Sequence, residues 1–142
     1  MVAGVSADDY ERLVAAHFAA AGYVVERNVQ HDALEIDLVA TKFCFRSKDQ
    51  YLVEAKSGKA WGHPDAFKLL GWMTFLAIDK GLLVVADGKD GAVGDVSDRF
   101  ASHGIEVLHL AAGANSVKFM KSAGLGHPGS NDEVDAWARA FQ

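Results

Sequence analysis

Glu54 and Lys56 lie at the end of an apolar stretch, residues 51–56, that is typical of a β-strand. Side chains alternate between the two faces of a strand, so both charged groups are predicted to lie on one face. An earlier stretch, residues 34–45, places Asp37 among Ile, Leu and Val residues. If these strands pair, Asp37 and Glu54 become neighbours, and adjacent carboxylates repel unless a positive charge lies between them. The spacing favours a site in which a divalent metal ion and Lys56 supply that charge.

Such a site has the composition needed for metal-assisted hydrolysis of a phosphodiester bond. Mg²⁺ prefers oxygen ligands and commonly binds through one or two carboxylates, here Asp37 and Glu54, while it keeps several waters. The backbone carbonyl of Ala55 is a further candidate ligand. The ion would polarise the phosphoryl oxygen, and Lys56 would position water or stabilise the transition state. Glu11, beside the apolar stripe of the first predicted helix, can point toward the same spot.

Hydrophobic periodicity predicts the elements that must position these residues. In chain order they are a helix over residues 6–21, strands over residues 23–30, 34–45 and 51–56, a helix over residues 65–80, a strand over residues 82–86, a short helix within residues 93–103, and a strand over residues 105–110. The order is α-β-β-β-α-β-α-β. We therefore predict an α/β fold with a mixed sheet flanked by helices, in which the later strands are parallel.

The connection between the second and third strands sets the distance between the two carboxylates. A symmetric hairpin that pairs Asp37 with Glu54 would turn near Phe45 and Arg46. The polar segment, residues 46–50, is centred nearer Lys48 and is predicted to be a loop. We therefore expect a β-bulge or a register offset in this hairpin.

Length and charge exclude several classes of protein. The chain has 142 residues, half of them hydrophobic, which is enough for one domain with its own core. A formal net charge of −5 argues against a protein that coats nucleic acid, although clustered metal-binding carboxylates would contribute to this excess. Cys44 is the single cysteine, so no intrachain disulfide can form. With no signal-peptide pattern and no long apolar run, we expect a cytoplasmic location and no membrane partner.

The character of the sequence changes after Leu110. We expect residues 1–110 to form the α/β domain and residues 111–142 to form a linker and a small C-terminal helical extension of the same domain. Residues 133–141 have the pattern of a short amphipathic helix. This helix either packs back on the domain or docks on a partner subunit, and the sequence leaves both alternatives open.

Four segments occur in an order that resembles the PD-(D/E)xK nuclease superfamily, which has the restriction-endonuclease-like fold. They are Tyr10-Glu11, Gly22-Tyr23-Val24-Val25, Glu35-Ile36-Asp37-Leu38-Val39-Ala40 and Glu54-Ala55-Lys56. The resemblance covers roughly residues 6–110 and is nearest to Holliday-junction-resolvase-like proteins and type IV restriction endonuclease domains. It implies an αβββαβ core, Asp37 and Glu54 as ligands of Mg²⁺ or Mn²⁺, Lys56 as the catalytic lysine and Glu11 as an auxiliary ligand. Ile36 departs from the family pattern, which often has proline there.

The function that this resemblance implies is a metal-dependent endonuclease that cuts DNA. We expect a homodimer, because two copies would place two active sites against two strands or two arms of a substrate. The alternative is a nuclease-fold protein that no longer cuts and instead binds a protein or a nucleic acid. A small-molecule-binding α/β domain is disfavoured, since no glycine-rich phosphate loop follows the early strands.

Three residues after the third strand are candidates for contact with nucleic acid. Lys59 and Trp61 lie in a loop with two glycines, where Lys59 can contact phosphate and Trp61 can stack on a base. The alternative is a solvated loop with Trp61 packed on the core. Lys68 lies in the helix that follows, at a position where nucleases of this type often have a polar residue that faces the site.

Overall fold

The order of helices and strands in the computed structural model, which describes residues 6–31, 34–44, 46–88 and 92–110, confirms the predicted order. The elements are α1 (Ala7–Ala20), β1 (Val24–His31), β2 (Leu34–Cys44), β3 (Ser47–Lys56), α2 (His63–Leu76), β4 (Gly81–Val85), α3 (Ala92–Phe100), a short 3₁₀ turn (Ala101–His103) and β5 (Ile105–His109). The expected linker and extension, residues 111–142, lie outside the described residues.

The strands of the described residues form one sheet in the order β1-β2-β3-β4-β5. The first three strands pair antiparallel, whereas β3, β4 and β5 pair parallel. Helices cover both faces of this mixed sheet, so the predicted α/β fold is confirmed. In the part of the chain that the structure describes, no helix is long and apolar enough to cross a membrane.

The sheet separates two apolar cores. One core packs α1 against the sheet, and its members include Tyr10, Phe18, Leu38, Val53 and Leu82. The other packs α2 and α3 against the opposite face, and its members include Val39, Leu52, Leu69, Trp72 and Leu83. Neighbouring residues of one strand, such as Leu82 and Leu83, therefore belong to different cores, as the period of two in a strand requires.

The two long helices begin where a side chain satisfies a free backbone N–H group. The Ser6 hydroxyl accepts a hydrogen bond from the Asp9 N–H group at 3.1 Å and caps α1, as predicted. α2 begins earlier than predicted because Asp65 accepts from the Gly62 N–H group at 2.9 Å. It also ends earlier, since Ala77 adopts a left-handed conformation with φ 57°.

The hairpin between β2 and β3 differs from the expectation of a bulge or offset. Its pairing runs in one register from Leu38 opposite Val53 to Cys44 opposite Ser47. The chain turns at Arg46, whose φ is +69°, so residues 47–50 belong to β3 and the predicted polar loop is wrong. This half of the hairpin is exposed to solvent. Its residues can therefore be polar and still pair as a strand, because neither side has to pack on a core.

Gly104 should tolerate no side chain. Its φ is +82°, and a Cβ atom there would collide with the carbonyl oxygen of Asp79. We expect Gly104→Ala to lower the free energy of unfolding by about 2 kcal/mol or more, from left-handed strain and the clash. Gly94 in α3 is the matched control: a Cβ there meets nothing within 4 Å, so Gly94→Ala should stabilise by up to ~1 kcal/mol. Urea denaturation measures both, and shifts of the same sign would contradict this packing.

Candidate active site

The pairing of β2 with β3 ends where the two predicted carboxylates lie. Leu38 opposite Val53 is the last backbone pair, and the next positions in the same register are Asp37 and Glu54. Here the Ala55 N–H group donates a hydrogen bond to Asp37 Oδ2 at 3.0 Å. A side-chain oxygen thus replaces the backbone carbonyl that a continued ladder would supply.

The side chains of β2 exchange sides of the sheet at Asp37. Leu38 packs in the core beneath α1, whereas Ile36 packs in the core beneath α2 and α3. Residues two positions apart in a regular strand share one face, so the strand must turn at the residue between them. Asp37 therefore lies between the two cores and is only half-buried.

Glu54 is the most deeply buried carboxylate of this site, with 2% of its surface exposed. Its Oε2 atom lies 3.0 Å from Lys68 Nζ, while Oε1 has no hydrogen-bond partner among the described residues. Burial raises the pKa of Glu54 to about 7, and the negative charge of Asp37 acts in the same direction. Near neutral pH the protonated and the ionised forms of Glu54 are therefore both populated.

The carbonyl of Ala55 faces the same gap in the sheet. The Leu52 N–H group donates to Lys80 O, and the Lys56 carbonyl accepts from Ala86 N at 2.9 Å, so residues 52 and 56 of β3 bond toward β4. The intervening odd-numbered positions must then direct their backbone groups toward β2. The Ala55 N–H group does so by donating to Asp37, and its carbonyl is placed on the same side.

Two crossed ion pairs join β3 to α2. Glu54 pairs with Lys68 as described, and Lys56 Nζ lies 3.4 Å from Asp65 Oδ1. Burial alone would lower the pKa of Lys68, but the hydrogen bond and charge of Glu54 and the charge of Asp37 raise it above its ordinary value. Both lysines are therefore held on the face of the sheet that carries Glu54.

Glu11 approaches Asp37 from α1. It is 9% exposed, and its Oε1 atom lies 3.3 Å from the Arg27 guanidinium, which also contacts Asp8 at 3.0 Å. Burial raises the pKa of Glu11, the charge of Asp37 raises it further, and Arg27 opposes both effects. Glu11 is thus close enough to Asp37 for their charges to interact.

The three residues that were predicted to contact nucleic acid lie in different environments. Trp61 is 5% exposed, and its indole N–H group donates to Asp87 O at 2.8 Å, which favours the alternative that it packs on the core. Lys59 is exposed in the loop that precedes α2. Lys68 faces the site through Glu54.

Sequence reasoning missed Asp65, the partner of Lys56. The available signal was the pair Pro64-Asp65, since proline favours the first position of a helix and an acidic residue favours the first turn.

The donor set fits a Mg²⁺-type ion. Within the described ranges, no three His, Cys, Asp or Glu side chains lie together as a metal cage. Two carboxylates and a carbonyl nevertheless suit Mg²⁺, which retains waters and takes further oxygens from a phosphate. The buried Glu54 Oε1 atom, which lacks a donor, is the observation that supports this fit, because an unpaired buried carboxylate oxygen is costly.

The chain matches a model of a known protein family. A family model described as restriction endonuclease (Mrr_cat) matches residues 2–118 and so includes Glu11, Asp37, Glu54 and Lys56. A search of curated proteins finds no match to the chain.

The raised pKa of Glu54 predicts a pH-dependent stability. A carboxyl whose folded pKa is about 7 stabilises the fold fully below its unfolded pKa near 4.5, and this contribution is lost as pH rises through 7. Relative to Glu54→Gln, the wild type should lose roughly 2–3 kcal/mol of unfolding free energy between pH 4.5 and 8. Urea denaturation in chelator at several pH values measures the difference.

The matched control for this measurement is Glu106→Gln, which changes an exposed carboxyl in β5. Its stability difference from the wild type should vary little over the same pH range. If the Glu54→Gln and wild-type curves run parallel, Glu54 is not held in a raised-pKa environment.

Proposed function

This chain belongs to the restriction endonuclease family, within the PD-(D/E)xK nuclease superfamily, and we propose that it is a metal-dependent endonuclease that hydrolyses phosphodiester bonds in DNA. The observation that carries the proposal is the meeting of Asp37 and Glu54 at the end of the β2–β3 ladder, where Glu54 Oε1 is buried without a donor. Cytoplasmic location is part of the same proposal.

Mg²⁺ or Mn²⁺ would be held by Asp37, Glu54 and the Ala55 carbonyl, with Glu11 as an auxiliary ligand. When bound, such an ion polarises a phosphoryl oxygen and lowers the pKa of a bound water. The carboxylates must be ionised to bind it, so the elevated pKa of Glu54 makes binding weaker below about pH 7.

Lys56 is the proposed catalytic lysine. Its ammonium group lies on the face that carries Glu54, and Asp65 orients it there at 3.4 Å. From this position it donates hydrogen bonds to a phosphate oxygen or to the attacking water, which stabilises the charge that develops in the transition state. Lys68 offsets the charge of Glu54, and with the exposed Lys59 it offers a contact to the phosphate backbone.

A homodimer and a possible protein partner also remain proposals, and the exposed face of α2 favours them. Phe67 and Phe75 are 63% and 64% exposed and lie eight residues apart, on the same side of the helix. Gly71 lies midway between them and has open space around the position of a Cβ atom. This side of α2 therefore offers exposed aromatic surface that a second copy could cover.

The purified 142-residue chain should cut linear, supercoiled or branched DNA with Mg²⁺ or Mn²⁺ and should lose this activity in chelator. Asp37→Asn and Glu54→Gln should each lower the cleavage rate by about 10²-fold or more, because each removes a charged ligand. Glu106→Gln, which changes an exposed carboxylate of β5, should cut at the wild-type rate. Residual cutting that is equal in all four proteins would show a contaminating nuclease and contradict the proposal.

If the wild type neither cuts these substrates nor binds Mn²⁺ in calorimetry, the alternative becomes the better description: a nuclease-fold protein that binds a protein or a nucleic acid.

The two lysines should differ in how much they change kcat and in whether they change its dependence on pH. Lys56→Met should lower kcat by about 10²-fold, since its ammonium acts in the transition state. Lys68→Met should reduce kcat less and also raise the pKa of Glu54, because it removes the cation that stabilises the ionised form. Cleavage kinetics from pH 6 to 9 measure both effects, with Lys48→Met, at an exposed position of β3, as the comparison. A larger kcat loss in Lys68→Met than in Lys56→Met would reassign the catalytic lysine.

A further inference from the structure

Asn28 has a left-handed backbone in the middle of a strand. It lies within β1 and its φ is +52°. Arg27 pairs with Leu38 and Val29 pairs with Ile36, so the position opposite Asn28 in this register is Asp37. Asn28 itself is missing from the paired positions. The ladder is therefore interrupted at the residue that faces the proposed metal ligand.

Both strands change faces at this pair. In β1, Val25 packs against the core beneath α1, whereas Val29 packs against the core beneath α2 and α3. Leu38 and Ile36 in β2 show the same reversal around Asp37. A left-handed residue reorients a strand in this way, and asparagine adopts that conformation more readily than other residues except glycine. The backbone turn at Asn28 therefore accompanies the change of sides at Asp37, whose side chain enters neither apolar core.

The side chain of Asn28 connects β1 to Glu11 in α1. With its amide nitrogen toward the acidic residues, Nδ2 lies 3.0 Å from Glu11 Oε1 and 2.8 Å from Glu35 Oε1. Arg27 approaches the same Glu11 oxygen at 3.3 Å. Both contacts reach Oε1, so Asn28 and Arg27 together fix this oxygen of Glu11.

We propose that Asn28 is a positioning residue of the nuclease site, with its backbone turning the strands at Asp37 and its amide holding Glu11 beside Asp37. The inference rests on the proposed function of this site. It adds a residue that touches neither substrate nor metal and acts through two residues that do. Outer residues that orient metal ligands typically change metal affinity or activity 10- to 100-fold when they are replaced.

Three substitutions distinguish the role of the Asn28 backbone conformation from the role of its side-chain amide. Asn28→Gly keeps the left-handed conformation and removes the amide, so it should fold yet lose about 10-fold or more in Mn²⁺ affinity and in cleavage rate. Asn28→Asp keeps the size but adds a carboxylate beside Glu11 and Glu35, and its loss should be larger. Asn28→Ala should also unfold at a lower urea concentration than Asn28→Gly, because alanine resists this φ.

The control is Gln30→Gly, which places glycine at an exposed position of the same strand. It should retain wild-type Mn²⁺ affinity, measured by calorimetry, and the wild-type cleavage rate. Mn²⁺ affinity and cleavage of Asn28→Gly within twofold of the wild type would overturn the proposal.

A double-mutant cycle tests whether Asn28 acts through Glu11. In a Glu11→Gln background, Asn28→Gly should have much less effect on Mn²⁺ affinity than in the wild type, and an undiminished effect would overturn the proposal. If the wild type neither binds Mn²⁺ nor cuts DNA, the proposed function fails. The same cycle measured by urea denaturation then decides the Asn28–Glu11 contact, because additive midpoint shifts would overturn it and non-additive shifts would support it.

Discussion

The hydrogen bond from the Ala55 N–H group to Asp37 Oδ2 is the contact on which the site depends. It ends the β2–β3 ladder without leaving a buried amide unpaired, which would be costly. It also holds the Asp37 carboxylate at β3, next to the residue that precedes Ala55. Glu54 is thereby buried beside a second negative charge, and its burial, together with the charge of Asp37, raises its pKa to about 7. Lys68 offsets part of this negative charge through its ion pair with Glu54.

The crossed ion pairs explain why α2 is part of the site. Lys68 partly neutralises Glu54, and Asp65 holds Lys56 while it also caps the start of the helix. The side chain that fixes the helix start therefore also orients the proposed catalytic lysine. Moving the start of α2 by one residue would rotate Asp65 and Lys68 together around the helix and separate both pairs. The register of α2 relative to β3 is thus constrained by electrostatics as well as by packing.

Much of this could be predicted from the sequence because strand period fixes which residues share a face. That period predicted Glu54 and Lys56 on one side, and the expected strand pairing predicted Asp37 beside Glu54. The resemblance added the roles of Asp37, Glu54 and Glu11 as metal ligands. The hairpin turn at Arg46 was not predictable from polarity, since residues 47–50 are polar and yet form an exposed strand. Asparagine favours a left-handed φ, but the residues around Asn28 have the pattern of a continuous strand, so the break at this position was not predicted.

The interruption of the sheet at Asp37 avoids the burial of a carboxylate in an apolar core. Asp37 is a single acidic residue between Ile36 and Leu38, which are both fully buried. In an uninterrupted strand its side chain would enter an apolar core on the side opposite both neighbours, where an unpaired carboxylate costs several kcal/mol or becomes protonated. The reversal of faces instead places its oxygens at the gap between β2 and β3, against a backbone donor. The interrupted pairing at Asp37 therefore lets β2 carry a charged residue between its two apolar cores.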